Sequence, residues 1–229
     1  MLAIIPRFVA WLNTIIPLLA VVGGYQIAIH QQVAEACIPL WEGCTSISRG
    51  VRNGDALFWF RGFMMPLSML LVFYWVLQFS WLETMAGRRR QHQVILALGI
   101  ISALSLVLYA NFLGSQGDFY RFMRRFGVTF YFAFAALAQL LSLHSLSTAK
   151  LQIPPQARVW LKVLWGLVIA QWCIGLSSLG VTIAQPANQF QAENIVEWNF
   201  ALAMVCFYAA SGELWHRLRI RPPALGGFR

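Results

Sequence analysis

Two clusters rich in arginine have the composition of an anion-binding site. The first lies early in the chain and comprises Ser46, Ser48, Arg49, Arg52, Asp55 and Arg61. The second lies near the middle and comprises Asp118, Arg121, Arg124 and Arg125. Because a guanidinium group can hold two phosphate oxygens at once, such clusters are typical of sites for phosphate-bearing ligands. The simpler interpretation is that the arginines only extend their charges to the water at a membrane surface.

A carboxylate late in the chain could belong to the same site. Glu197 and Trp198 stand where the last long apolar segment begins. A carboxylate so close to membrane hydrocarbon generally has a cationic partner, and the two arginine clusters are the nearest supply. The predicted anion site therefore also includes Glu197 and Trp198.

Two of the four cysteines lie just before the first arginine cluster. Six residues separate Cys37 from Cys44, and Pro39 and Gly43 lie between them. On an oxidising side of a membrane this pair is predicted to form a disulfide; the alternative is two free thiols. Because no second pair of cysteines lies nearby, a zinc site is not predicted.

The composition places these clusters in a membrane protein. Hydrophobic residues make up 59% of the chain, charged residues make up 11%, and the mean hydropathy is +0.63. A soluble domain of this size could not bury so much apolar surface. A spanning helix needs roughly 20 apolar residues, and the chain has six such runs, near residues 8–30, 62–82, 93–113, 127–148, 159–183 and 195–215.

These runs predict the fold class and the domain organisation. They lack the strict alternation of barrel strands, so we predict an all-α, polytopic bundle of six transmembrane helices. The bundle forms one domain, residues 1–221, with an exoplasmic loop at residues 31–61. A flexible basic tail is predicted for residues 222–229, where Pro222 and Gly226 interrupt regular structure.

The distribution of basic residues predicts that both termini are cytoplasmic. In that orientation eleven of the seventeen Lys and Arg residues lie inside, and the six arginines of the two clusters lie outside. The positive-inside rule favours this arrangement. The basic pI of about 10.0 then reflects contact with the anionic cytoplasmic leaflet and not with nucleic acid. We expect a plasma-membrane location, which in a bacterium is the inner membrane.

The chain resembles the Frag/DRAM/Sfk family, which includes the damage-regulated autophagy modulators and a Golgi protein that remodels the lipid of GPI anchors. The resemblance lies in the six spans, in Ser46-Ile47-Ser48 of the first outer loop, and in Glu197-Trp198 at the start of the sixth span. The chain departs from the family pattern at Thr45, where the family has proline, and at Arg124, where it has histidine. The resemblance implies work on or near lipids at the exoplasmic face.

Three functions agree with these features. The first is binding of a lipid headgroup, anionic or phosphorylated, at the predicted anion site. The second is a lipid-remodelling or acyltransferase activity at the same place, for which Ser46 and Ser48 are candidate nucleophiles, although no Ser-His-Asp order stands out. The third is a structural subunit or assembly factor that contacts other membrane proteins. No catalytic residue, metal site or cofactor is predicted.

Overall fold

The computed structural model describes residues 5–149, 153–184 and 189–218. Within these ranges the chain forms α-helices and no strand. The helices are α1 (Ile5–His30), α2 (Pro39–Glu42), α3 (Ile47–Gly50), α4 (Gly54–Ala86), α5 (Arg90–Phe112), α6 (Asp118–Thr148), α7 (Pro155–Ala184) and α8 (Gln189–Arg217). The predicted tail at residues 222–229 lies outside the described residues.

Six of these helices are long and apolar enough to cross a membrane, as the hydropathy of the sequence predicts. The chain is therefore an all-α, multi-pass membrane protein. The helices extend beyond the predicted apolar runs, because hydropathy detects only the part that lies in hydrocarbon. The clearest difference is at α4, which begins at Gly54. Residues 54–61, predicted as loop, are thus the first two turns of a helix.

The long helices alternate in direction, so the bundle has two ends. Arg7 and Glu213 form an ion pair of 2.7 Å, which places the start of α1 beside the end of α8. We call this end the terminal end, and the opposite end, which carries residues 31–53 and 113–117, the loop end. α1 packs between α4 and α8, α5 packs between α4 and α6, and α7 packs mainly against α8.

Small residues allow neighbouring helices to approach closely. The indole ring of Trp75 on α4 lies directly over Gly99 on α5. At the crossing of α5 and α6, a Cβ atom on Gly127 would lie 2.7 Å from the backbone nitrogen of Tyr109. Since lipid supplies no hydrophobic force between helices, such close van der Waals contact is a main source of cohesion in a membrane bundle.

Buried polar side chains connect the helices further. The Thr14 hydroxyl on α1 donates to the Val205 carbonyl on α8 at 2.7 Å. The Gln171 amide on α7 donates to the Gln139 amide oxygen on α6 at 2.9 Å. Each bond satisfies a group that would otherwise be costly to bury in an apolar interior.

The loop end is shaped by a disulfide and a tyrosine. Cys37 and Cys44 are joined by the predicted disulfide, which closes a small loop around α2. Tyr25, near the end of α1, donates its hydroxyl to the Glu35 carbonyl at 2.6 Å and accepts the Cys37 N–H at 3.3 Å. Gly43 ends α2 with a φ of +62°, a conformation that favours glycine. Residues 31–53 thus form a compact cap.

Candidate functional site

A polar cleft at the loop end collects three of the predicted arginines. Arg52 comes from the segment before α4, and Arg121 and Arg124 come from the first two turns of α6. Asn53 and residues 114–117 complete the wall. The cleft has a volume of about 560 Å³, whereas one water occupies roughly 30 Å³ in the liquid. We call this feature the arginine cleft.

The positive charge of the arginine cleft is only partly compensated. Arg52 and Arg121 lie close enough to Arg124 for their like charges to act on it. None of the described residues that line the cleft is acidic. Asp118 contacts Arg121 at 3.5 Å, but its side chain is 96% exposed, so water screens the pair. An anion in the cleft would relieve the repulsion among the three arginines.

Arg61 does not line the arginine cleft and has a structural position. Its guanidinium group donates to three carbonyls at the end of α5, those of Ala110, Asn111 and Leu113, at 3.0, 2.8 and 2.6 Å. The last carbonyls of a helix lack partners within the helix, and a cation there is also favoured by the helix dipole. Arg61 therefore caps α5 and joins it to α4.

The remaining charged residues of the predicted site are dispersed. Asp55 accepts a hydrogen bond of 2.6 Å from the Gln31 side chain and has no arginine partner among the described residues. Arg49 lies in a separate surface cleft beside the disulfide. Arg125 is exposed and does not line the arginine cleft.

Glu197 also lies apart from the arginine cleft. Its carboxylate lies against the backbone N–H groups of Ile47 and Ser48, and Arg49 is close enough for its charge to act on the carboxylate. These two N–H groups open α3 and have no partner within that helix. Ser46 completes the cap, because its hydroxyl accepts the Arg49 N–H at 3.2 Å and lies 3.3 Å from the Ser48 hydroxyl.

Side chains of α8 bind successive backbone carbonyls of the loop. The donors are Gln191, Asn194, Trp198 and Asn199, which bind the carbonyls of residues 42, 43, 45 and 40 at 2.6, 2.7, 2.9 and 2.9 Å, respectively. These four bonds hold the loop against the last helix through its backbone carbonyls.

An apolar cavity of about 180 Å³ lies on the inner side of this loop, between α1, α4, α5, α6 and α8. Leu40 and Ile47 of the loop close it at the loop end, and Glu197 and Tyr109 contribute to its wall. Tyr109 is only 3% exposed, and its hydroxyl has no hydrogen-bond partner among the described residues. We call this feature the apolar cavity.

Sequence reasoning missed two parts of this arrangement. Trp198 was in the predicted site, but Gln191 and Asn194, which share its face of α8 at spacings of three and four residues, were not, and this spacing was the available signal. Tyr109 has no comparable signal, because it lies in an apolar run and its unpartnered hydroxyl depends on which helices pack around it.

Comparison with known proteins does not assign a relative to the chain. No protein-family model, curated protein or solved structure matches it.

Proposed function

We propose that the arginine cleft binds the phosphate-bearing headgroup of a membrane lipid. The observation that carries this proposal is the convergence of Arg52, Arg121 and Arg124 on one polar cleft without an acidic lining residue in the described part of the chain. Three guanidinium groups can hold phosphate oxygens in several directions at once. Keeping such a cluster together without an anion costs free energy, so a ligand that neutralises it binds favourably.

The surroundings of the cleft favour a lipid over a soluble anion. The first turns of α6 carry exposed aromatic side chains, namely Phe119, Tyr120, Phe122 and Phe126. With Phe130, one turn further along α6, the rings form a stripe. The ring centroids of Phe122 and Phe126 are 4.2 Å apart, and those of Phe126 and Phe130 are 5.3 Å apart. Tyrosine is enriched at the level of lipid headgroups, so Tyr120 favours that level for the cleft, and the exposed Phe rings offer apolar surface to the lipid chains beside it.

The proposed orientation puts the loop end on the exoplasmic side and both termini in the cytoplasm. The excess of basic residues at the terminal end supports it. The Cys37–Cys44 disulfide supports it independently, because disulfides persist in oxidising compartments. The membrane we propose is the plasma membrane, in a bacterium the inner membrane.

We also propose kinship with the Frag/DRAM/Sfk family. The two motifs that suggest the resemblance lie far apart in the sequence, yet they are in contact. The Glu197 carboxylate lies against the N–H groups of Ile47 and Ser48, and Trp198 donates to the Thr45 carbonyl. These contacts hold the loop against α8, and each requires both motifs. This is a physical reason for the two motifs to occur in one protein.

Catalysis is not part of the proposal. Among the described residues, the Ser46 hydroxyl lies within hydrogen-bond distance of the Ser48 hydroxyl and accepts the Arg49 N–H, and neither hydroxyl is bonded to a histidine. A serine nucleophile requires an adjacent base. The geometry therefore favours binding over the acyltransferase alternative.

Native mass spectrometry of the full chain, extracted in a mild detergent, tests the headgroup proposal. We expect the wild-type protein to retain an anionic phospholipid and Arg124→Gln to lose it. Arg125→Gln is the matched control, because Arg125 lies on the same turn but does not line the cleft. Competition with inorganic phosphate distinguishes a lipid site from a site for free phosphate.

Three results would contradict the proposal. Equal retention by both variants would show that the lipid is held elsewhere. Displacement of the lipid by inorganic phosphate at low concentration would show a site for the free anion. A wild-type protein that retains no anionic lipid would instead favour the structural-subunit alternative.

A further inference from the structure

The arginine cleft holds more positive charge than the described part of the chain neutralises. Its wall carries the three guanidinium groups of Arg52, Arg121 and Arg124, and no described lining residue has a carboxylate. Arg121 is paired with Asp118 beside the cleft, whereas Arg52 and Arg124 have no ion-pair partner among the described residues. One carboxylate for three guanidinium groups leaves two positive charges in excess.

Two long helices also begin at the wall of the cleft. Asn53 is the N-cap of α4 and Gly117 is the N-cap of α6, and both line the cleft. Asn53 makes no side-chain hydrogen bond to its helix, and Gly117 has no side chain to make one. Because the N-terminus of a helix carries a partial positive charge, both helices add to the excess. The negative end of α5 leads into the same wall, but Arg61 already binds its carbonyls.

The charge and the free oxygens of a phosphate headgroup decide how well it matches this excess. A phosphate monoester has a charge of about −2 near neutral pH and three terminal oxygens that accept hydrogen bonds. A phosphodiester has one charge and one terminal oxygen fewer, because a second oxygen is esterified. Only the monoester neutralises both excess charges and offers one terminal oxygen to each of the three guanidinium groups.

The neutral side chains of the cleft also fit a terminal phosphate. Asn53, Ser115 and Gln116 line the cleft, and each can donate a hydrogen bond to a phosphate oxygen. A choline or ethanolamine headgroup would bring a cation into the cleft, where no described lining residue carries a carboxylate to receive it. The lining therefore disfavours a zwitterionic headgroup.

We infer that the headgroup bound in the arginine cleft ends in a phosphate monoester, as the headgroup of phosphatidic acid does. The terminal phosphate would lie between Arg52, Arg121 and Arg124, and its single ester bond would lead to the chains of the lipid. The inference rests on the proposed function, because it names the chemical class of the ligand at the same site.

The test compares phosphatidic acid with phosphatidylmethanol of the same acyl chains. The second lipid has one added methyl group, which removes one charge and esterifies one terminal oxygen. Native mass spectrometry of the full chain in a mild detergent, at about pH 8 where the monoester is doubly charged, measures both affinities. We expect phosphatidic acid to bind about tenfold more tightly, the equivalent of one charged hydrogen bond. Equal affinities would overturn the inference.

Cardiolipin separates total charge from charge on a single phosphate. It carries two charges, but they lie on two separate phosphodiesters. We expect it to bind more weakly than phosphatidic acid in the same titration. Binding as tight as that of phosphatidic acid would show that the cleft responds to total charge alone, and this would overturn the preference for a monoester.

Substitutions localise the preference for phosphatidic acid over phosphatidylmethanol. Arg52→Gln and Arg124→Gln each remove one guanidinium group, and they lie on different segments, so a folding defect in one variant leaves the other informative. Each should reduce the preference severalfold. Arg125→Gln is the matched control and should keep it, since Arg125 does not line the cleft. A preference that both cleft variants keep in full would overturn the inference.

Failure of this inference and failure of the proposed function give different results. Equal affinities for the two lipids, both lowered by Arg124→Gln, would remove the monoester preference and keep the headgroup site. A wild-type protein that binds neither lipid would overturn both. Glycerol 3-phosphate, the headgroup of phosphatidic acid without its chains, should displace the lipid only at much higher concentration. Displacement at equal concentration would contradict a lipid site and keep the monoester as the ligand.

Discussion

Trp198 donates its indole N–H to the backbone carbonyl of Thr45 at 2.9 Å. The two residues are separated by 153 positions in the chain. Trp198 is 8% exposed, and its ring also packs edge-on against Tyr25 at a centroid distance of 6.0 Å. The Trp198 side chain, which belongs to α8, therefore contacts both the loop and α1. The position of the loop thus depends on both helices.

Trp198→Phe should destabilise the protein by about 1 kcal/mol, because it removes this hydrogen bond and leaves a buried carbonyl without its donor. Thermal unfolding in detergent measures the effect. Trp172→Phe is the control, since Trp172 is 38% exposed on the surface of α7. Equal melting temperatures for the two variants would contradict a structural role for the bond.

Gly43→Ala should destabilise the protein by about 1 kcal/mol or more. Gly43 has a φ of +62°, which costs an L-residue roughly 1–2 kcal/mol, and a Cβ atom there would also meet the backbone carbonyl of Gln191. Gly62→Ala is the matched control. Nothing lies within 4 Å of a Cβ atom built on Gly62, which is inside α4. The control should therefore be neutral or slightly stabilising, and a loss of stability as large as that of Gly43→Ala would refute the explanation.

Alkylation of the denatured protein should modify two cysteines before reduction and four after it. Cys37 and Cys44 are joined, whereas Cys173 and Cys206 are free. Mass spectrometry counts the adducts and identifies the modified peptides. Four adducts without reduction would mean that the loop is reduced in the purified protein. Replacing both Cys37 and Cys44 by Ser should lower the free energy of unfolding by about 2–3 kcal/mol, since the closed loop is short.

Arg61→Lys should destabilise the protein without changing lipid retention per folded molecule. Lysine carries one ammonium group and cannot reproduce the planar fork that binds the carbonyls at the end of α5. We expect a loss of about 1–3 kcal/mol in unfolding experiments. Arg88→Lys is the control, because the Arg88 side chain is 81% exposed. Loss of the anionic lipid by folded Arg61→Lys would instead move Arg61 into the headgroup site.

The sequence predicts the helical architecture because the signal is local. Each membrane-spanning segment carries its own run of apolar residues, and lipid permits few alternatives to a helix. The disulfide could be predicted for the same reason, since Cys37 and Cys44 lie close together in the chain. The extent of α4 could not be predicted, because its first turns at residues 54–61 are polar and continue the helix beyond the hydrocarbon.

The sequence shows which residue types the candidate site could contain, and the tertiary structure shows which of those residues lie together. All six outer arginines looked equivalent in the sequence. Packing of α5 and α6 against the loop brings Arg52 and Arg121 beside Arg124, whereas Arg61 is used to cap α5. Which charges meet depends on distances between segments far apart in the chain, and composition carries no information about those distances.

The amino-acid sequence by itself determined that the chain is a bundle of membrane helices with basic clusters outside its apolar runs. Only the tertiary structure decided that Glu197 lies at the start of the loop helix α3, that the arginine cleft is separate from it, and that the Tyr109 hydroxyl is buried without a partner among the described residues. The physical reason is that helix formation in lipid is driven by each segment alone, whereas a site is created by the packing of several segments.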